Sequence, residues 1–318
     1  MINIADFKNK KVLVVGDLMI DEYLWGIVER ISPEAPVQIV EVQKETYTLG
    51  GAGNVVNNLV SLGADVFTAA VIGDDAGGEL LIDIFNKLKI DTNGLIKDKK
   101  RTTTKKTRVM AANQHVLRID RETKDAVKKS SLNNLLGYIE SKMCYADIVI
   151  ISDYGKGVVS SELIKRTAIF AKKNDKMIIA DPKGDNFKKY RGCYLITPNK
   201  KEASIASNIK IREEKDLFSA GKKLIDVANL EAILITCGSE GIFCLNKNGD
   251  SIHIPAHAKQ VFDVSGAGDT VIAVFGLSIA SGSTFEDGAE LANIAGGIVV
   301  GKVGTASVTV DELMAELL

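Results

Sequence analysis

The 318-residue sequence has no excess of charge of one sign. Forty Lys and Arg stand against 41 Asp and Glu, a net charge of -1. That balance argues against a global basic field for nucleic acid, although a local patch can still hold a phosphorylated small molecule. Cysteine is scarce: Cys144, Cys193, Cys237 and Cys244 form no CxxC pair, so buried reduced thiols are expected and a metal knot is not. Long apolar runs are missing too. Those near 271–281 and 294–300 are too short and too broken by glycine to cross a bilayer. The opening MINIADFKNKK lacks the apolar core of a signal peptide. A cytoplasmic chain without membrane or nucleic-acid partners is the expectation. Two nucleotide-binding patterns are also absent. There is no GxxxxGK[ST], and the first strand runs into GDLMID where a dinucleotide fold would place GxGxxG. A P-loop enzyme and a nicotinamide oxidoreductase are both disfavoured.

What is present is an α/β pattern. KVLVVG (11–16) reads as a buried strand ending at Asp17, and regular helix–strand alternation follows from residue 126 onward. Helices are expected over 77–89, 126–142, 161–174, 213–228, 267–281, 285–301 and 310–317. Strands are expected at 146–152, 177–181, 193–197 and 232–236. Such alternation predicts a mostly parallel sheet covered on both faces. Two β-rich excursions, 18–48 and 95–120, interrupt it, the second as a hairpin turning near Ala112–Gln114. Together they predict a small second sheet serving as a lid that excludes water.

DVSGAGDT (263–270) places Gly266, Ala267 and Gly268 before Asp269 and an apolar helix. Free N–H groups at a helix start attract anions, and small residues let a phosphate approach them. A carboxylate in that turn either removes a proton from an attacking hydroxyl or merely complements the helix dipole. GGAGN (50–54) is built alike; Asn54 there either caps a helix or contacts a polyol. Asn199 and Glu202, in NKKE, suit a hydrated Mg²⁺ carried by phosphates, and equally a capping box. Asp17, Asp153, Lys156, Asp181 and Lys183 all follow apolar strands, where α/β folds bind ligands.

GGAGNVVNNLVSLGADVFTAAVIGDD (50–75) and DVSGAGDT, about two hundred residues apart, resemble the two signatures of the ribokinase-like, or PfkB, carbohydrate kinases. The resemblance spans nearly the whole chain. It implies a single domain, 1–318, built as a three-layer α/β/α sandwich with a β-sheet lid, and ATP- and Mg²⁺-dependent phosphorylation of a sugar hydroxyl. It casts Asp269 as the catalytic base and the N–H groups of Gly266, Ala267 and Gly268 as the anion hole. Asn199 and Glu202 match the motif tied to Mg²⁺ and phosphates. Asp17, Gly51 and Asn54 match sugar contacts, and Thr236, Gly238 and Gly241 match the nucleotide-side turn. Asn293 matches a residue near the adenine, and Asp263 with Ser265 a monovalent-cation (K⁺) site of some relatives.

RISPEAPVQIVEV (30–42), SDYGKG (152–157), DPKG (181–184), YRGCYLITPN (190–199) and VVGKVGTASV (299–308) resemble the D-glycero-β-D-manno-heptose 7-phosphate kinases of that family. These add a phosphate at C1 on the way to ADP-heptose and lipopolysaccharide core. The substrate's own phosphate would need cations, for which Lys156, Lys183 and Arg118 are the candidates and Arg108 a weaker one; Lys183 could face ATP instead. Many relatives carry a nucleotidyltransferase with HxGH. The histidines of this chain are His115, His253 and His257, and HIPAH is not HxGH. A separate adenylyltransferase is therefore expected. Open lid edges allow a lid-mediated homodimer. The alternatives are another PfkB kinase, for ribose, fructose or a fructose phosphate, and a silent sugar- or nucleotide-binding protein.

Overall fold

A computed structural model describes residues 4–111, 114–257, 261–302 and 304–317. The chain begins with β1 (Lys11–Gly16), β2 (Leu18–Ile31), β3 (Gln38–Gly51), α1 (Ala52–Ser61), β4 (Asp65–Gly73) and α2 (Ala76–Lys87). It continues with β5 (Leu95–Asp98), β6 (Thr104–Ala111), β7 (Gln114–Arg121), α3 (Lys129–Met143), β8 (Ile148–Ser152) and α4 (Ser161–Lys173). Then come β9 (Met177–Asp181), β10 (Leu195–Ile196), α5 (Lys200–Ser207), α6 (Glu214–Ala228) and β11 (Ala232–Thr236). The last part holds β12 (Ile242–Asn246), β13 (Ser251–Ile254), α7 (Ala267–Ala280), α8 (Phe285–Val299) and α9 (Val310–Leu317).

Among the described residues the central sheet runs β13-β12-β11-β10-β9-β8-β1-β4-β5. It is parallel except for β12 and β13, which pair antiparallel at one edge. Strand β1 is the switch point: the chain later adds β4 on one side and β8 on the other. Ligands of α/β sheets collect outside the carboxyl ends at such a point. Alternate side chains of β1 enter different cores. Val12 and Val14 pack with α1, α7 and α8, whereas Leu13 and Val15 pack with α3, α4 and α6. Hydrophobic on nearly every side, α7 lies inside its layer, as such a helix must. Gly276 lets it seat on the sheet; a Cβ there would stand 2.8 Å from Ile179 Cδ1.

The second sheet, β3-β2-β6-β7, is the lid, with β2 running parallel to β6 and the other pairs antiparallel. Its extent differs from expectation. Residues 95–98 form β5, which pairs parallel with β4 at the edge of the central sheet, so the second lid segment starts at Thr104. The four-residue LIKD has no pattern that distinguishes one sheet from the other; a non-local pairing decides it. The turn at Ala112–Gln114 falls on 112 and 113, outside the described residues. Strand β10 is shorter than the predicted 193–197, and β13 went unpredicted. Three cysteines are buried, but Cys144 is exposed at the end of α3.

Candidate active site

Helix α7 starts without a polar cap. Gly266 lies in the left-handed region (φ 81°), and no side chain caps the first turn. A Cβ on Gly266 would stand 2.4 Å from Asn54 Nδ2, so the position requires glycine. Ala267 N–H turns toward the Val264 carbonyl at 3.3 Å. The N–H groups of Gly266 and Gly268 find no partner among the described residues, and a Cβ on Gly268 would meet nothing within 4 Å. The outcome is a helix N-terminus open to an anion, with the positive end of the dipole behind it.

Asp269 is the third residue of α7 and is 2% exposed. Asn54 Nδ2 donates to its Oδ2 at 2.9 Å, and the Tyr154 hydroxyl donates to its Oδ1 at 2.8 Å. Burial pushes the Asp269 carboxyl up to about 7. The bonds from Asn54 and Tyr154 and the charge of Lys106 pull the other way, while Asp21 adds to the rise. A carboxyl titrating near neutrality can accept a proton from a hydroxyl. Asn54 is fixed in turn by Asn58, whose Nδ2 donates to the Asn54 carbonyl at 2.9 Å. Asn58 Oδ1 accepts Thr270 Oγ1 (3.1 Å) and Val308 N–H (3.2 Å), tying α1 to α7.

Asp17, expected at the sugar, stands elsewhere. It is 1% exposed and accepts three backbone N–H groups, from Tyr154 (2.9 Å), Lys156 (3.1 Å) and Val158 (3.1 Å). It holds the loop after β8. The carboxylate that reaches the site from this stretch is Asp21, on β2, ion-paired with Arg108 of β6 and near enough to raise the Asp269 pKa. Gly51 (φ 58°) is a packing position: a Cβ would stand 2.6 Å from the Asp17 carbonyl oxygen.

The cations expected around a substrate phosphate do not converge. Lys156 Nζ pairs with Glu122 at 2.5 Å, and Arg118 is half exposed and bonded to Asp120 on the outer lid strand β7. Lys183 Nζ donates to Glu202 Oε1 at 2.7 Å, on the Asn199 side of the cleft. Asp153 is buried, accepting the Tyr190 hydroxyl at 2.6 Å and pairing with Lys189. The basic side chain that does act on Asp269 is Lys106, whose Nζ lies 5.8 Å over the Tyr154 ring; Arg108, two pairs along the same lid strand, is ion-paired with Asp21. Asp21, Tyr154, Lys106 and Arg108 carry the wall of the site, and of these only Arg108 was considered from sequence. Strand alternation held the missing signal. In parallel register Asp21 faces Lys106 and Tyr23 faces Arg108, so all four share one face of the lid.

A cleft of about 540 Å³ opens beside α7. Asn199, Glu202, Thr236, Gly238, Gly241 and Asn293 all line it, together with Ala267, Gly268 and Lys183. Its far wall is apolar, from Val261, Val264, Val271 and Val300. Gly241 (φ 95°) has to be glycine, because a Cβ would stand 2.0 Å from the Ile254 carbonyl oxygen. Asn293 Nδ2 donates to the Pro255 carbonyl at 2.6 Å. Asn199 and Glu202 form a reciprocal capping box on α5 at 2.9 and 3.1 Å. Both residues line the cleft, and amide and carboxylate oxygens each accept more than one hydrogen bond, which suits an ion reached through water. Burial, with Asp269 and Glu202 nearby, pushes Asp181 well above the usual carboxylate range. Asp263 accepts N–H groups from Ser265 (2.9 Å) and Gly304 (3.1 Å), bracing the turn before α7. No cluster of three or more His, Cys, Asp or Glu suited to a metal occurs among the described residues.

The pfkB family carbohydrate kinase pattern matches residues 9–312. The chain belongs to this family. Bifunctional protein HldE of Desulfatibacillum aliphaticivorans is 51% identical over 315 residues, covering 99% of this chain and 64% of that protein. Bifunctional protein HldE of Geobacter sulfurreducens is 47% identical over 305 residues, covering 96% and 62%. The chain thus spans less than two thirds of these relatives. They are named bifunctional, so the expected separate adenylyltransferase has no support in them. Solved structures share the fold at low identity. Arabidopsis thaliana ribokinase complexed with ribose and ATP has a TM-score of 0.76 at 18% identity, covering 97% of this chain and 98% of that one. Escherichia coli phosphofructokinase-2 in complex with potassium has a TM-score of 0.80 at 18% identity, covering 96% and 97%. Among the described residues no helix is long and apolar enough to span a membrane.

Proposed function

We propose that this chain transfers the γ-phosphoryl group of ATP to the C1 hydroxyl of D-glycero-β-D-manno-heptose 7-phosphate, giving the 1,7-bisphosphate. The observation that carries a kinase role is the Asp269 carboxyl, buried and held by Asn54 and Tyr154 beside the open start of α7. The heptose-kinase-like segments, with the likeness to two HldE proteins at 51% and 47% identity, support this choice of sugar. Bound ATP with Mg²⁺ supplies the phosphoryl group. Asn199 and Glu202 would hold the ion's hydration shell, and the apolar valines would take the base end of the nucleotide. Asp269 accepts the hydroxyl proton while the Gly266 and Gly268 N–H groups face the charge that develops on the phosphoryl oxygens. Asp21 orients sugar hydroxyls from the lid, and lid closure excludes water. Since Asp269 must be ionised to act, activity falls as pH drops through about 7. A monovalent cation at Asp263 and Ser265, and a dimer through the lid edges β3 and β7, belong to the same proposal; potassium dependence of turnover and light scattering test them.

ADP release tests the function. The expected result is turnover with heptose 7-phosphate well above that with the unphosphorylated heptose, ribose, fructose or fructose 6-phosphate. Brisk turnover of another sugar with none on heptose 7-phosphate would replace the substrate and keep the kinase. Tight sugar binding without ADP release would leave a binding protein.

A further inference from the structure

Asp17 and Tyr154 are buried or site-facing groups that this mechanism leaves without a task. We propose that Tyr154 is a positioning residue for Asp269: its hydroxyl is the standing donor that fixes the carboxylate through Oδ1, and Asp17 keeps Tyr154 there by gripping the loop that carries it.

The geometry supports each link. Oδ2 of Asp269 is held by Asn54 and Oδ1 by Tyr154, at 2.9 and 2.8 Å, so the carboxylate cannot rotate without breaking both bonds. An ionised carboxylate oxygen accepts more than one hydrogen bond. Oδ1 can therefore keep Tyr154 and still receive the hydroxyl of an acceptor. Tyr154 can only donate, because burial of its hydroxyl and the neighbouring Asp269 charge push its ionisation well above the ordinary value. Its loop is fixed from two sides. Asp17 takes the N–H groups of Tyr154, Lys156 and Val158. Arg101 donates to the Lys156 carbonyl and to the carbonyls of Asp125 (3.1 Å) and Thr123 (3.3 Å). Gly157 (φ 87°) passes so close to Asp125 that a Cβ would stand 2.0 Å from its carbonyl oxygen. The groups facing Asp269 are Asn54 from α1, Asp21 from β2, Lys106 from β6, Tyr154 after β8 and Asp181 at the end of β9. Among the described residues, only Asn54 and Tyr154 hydrogen-bond to its carboxylate. A small misplacement of a catalytic group slows a reaction severely, so a second fixed donor has value beyond its own bond.

The kinetic half of this inference rests on Asp269 being the proton acceptor; the structural half does not. Tyr154→Phe keeps the ring and its contact with Lys106 and removes only the donor. Infrared titration follows the Asp269 carboxyl through the band that vanishes in Asp269→Asn, and the acid limb of kcat/KM reports the same group in turnover. Both midpoints are expected to rise by about one pH unit, the scale of a hydrogen bond to a charged group. Melting temperature and nucleotide affinity should stay at wild-type values. Asp17→Asn, which loosens the loop, should move both midpoints the same way by less. An infrared midpoint unmoved in folded Tyr154→Phe would overturn the proposal. A moved infrared midpoint with an unmoved acid limb would uphold it and remove Asp269 from the role of base.

Discussion

Gly51-Ala52-Gly53-Asn54 and Gly266-Ala267-Gly268-Asp269 are nearly the same four residues, and each opens a helix behind a glycine of positive φ with no side-chain cap. Their surroundings differ. At the start of α1 every added Cβ meets protein: at Gly51 the Asp17 carbonyl and Met19, at Gly53 the Leu49 side chain at 3.0 Å. At the start of α7 a Cβ on Gly268 would meet none of the described residues within 4 Å, and Gly268 lines the cleft. The glycines of α1 serve the close approach of strand, lid root and helix; at α7 Gly266 does the same against Asn54, while Gly268 leaves room for something outside the protein. The two starts meet where Asn54 donates to Asp269. One pattern thus supplies a donor and the other the carboxylate it supports, the base of the proposed reaction, and neighbouring space separates them, since composition does not.

Asp269→Asn should break the α7 half most severely. A positioned base contributes about 10²–10⁴-fold, so kcat should fall by that order while calorimetry shows nucleotide binding nearly unchanged. Gly268→Ala comes next. Nothing among the described residues obstructs the methyl group and helix propensity favours it, so the melting temperature should hold or rise. The methyl stands in the anion's path, and kcat/KM for ATP should drop by about tenfold, the effect of about 1.4 kcal/mol at the transition state. Gly51→Ala should do the reverse. The positive φ and the 2.6 Å approach to the Asp17 carbonyl should lower stability by about 1–3 kcal/mol in urea unfolding. The smallest effect is a pH dependence of stability. The Asp269 pKa is raised from 3.8 to about 7, so its contribution favours the folded state at low pH and is lost as pH rises through 7. Asp269→Asn lacks that loss. Its melting temperature should exceed that of the wild type above pH 7, with the gap closing toward about pH 4.

Much of this was legible in the residues, for physical reasons. The regular strand–helix rhythm after residue 126 follows from hydrophobic periodicity, and β8, β9 and β11 lie where it places them. Asn199, Glu202, Thr236, Gly238, Gly241 and Asn293, the residues expected on the nucleotide side, line one cleft, because they sit at strand ends and helix starts that the parallel topology brings together. The acceptor side was less legible. GDLMID holds two carboxylates four residues apart, and the nearer one to the strand end looked like the ligand. The chain leaves the central sheet between them, so Asp17 stays under the β8 loop while Asp21 rides into the lid and faces the site. Lys106 and Tyr154 escaped for a similar reason. Each lies on a segment whose facing is set by pairing between strands far apart in sequence. The lysines of SDYGKG and DPKG are nearest in sequence to the site, yet local ion pairs with Glu122 and Glu202 hold them.

The swap Asn54→Asp with Asp269→Asn tests the central contrast most directly. It keeps both helix starts, the net charge and the contact between the two side chains, and moves only the carboxylate from the open start to the closed one. Steady-state ADP release should stay at the level of Asp269→Asn alone, because a displacement on the scale of one hydrogen bond takes the base out of line. Recovery to within about tenfold of wild type would contradict the account, for then either helix start could carry the base.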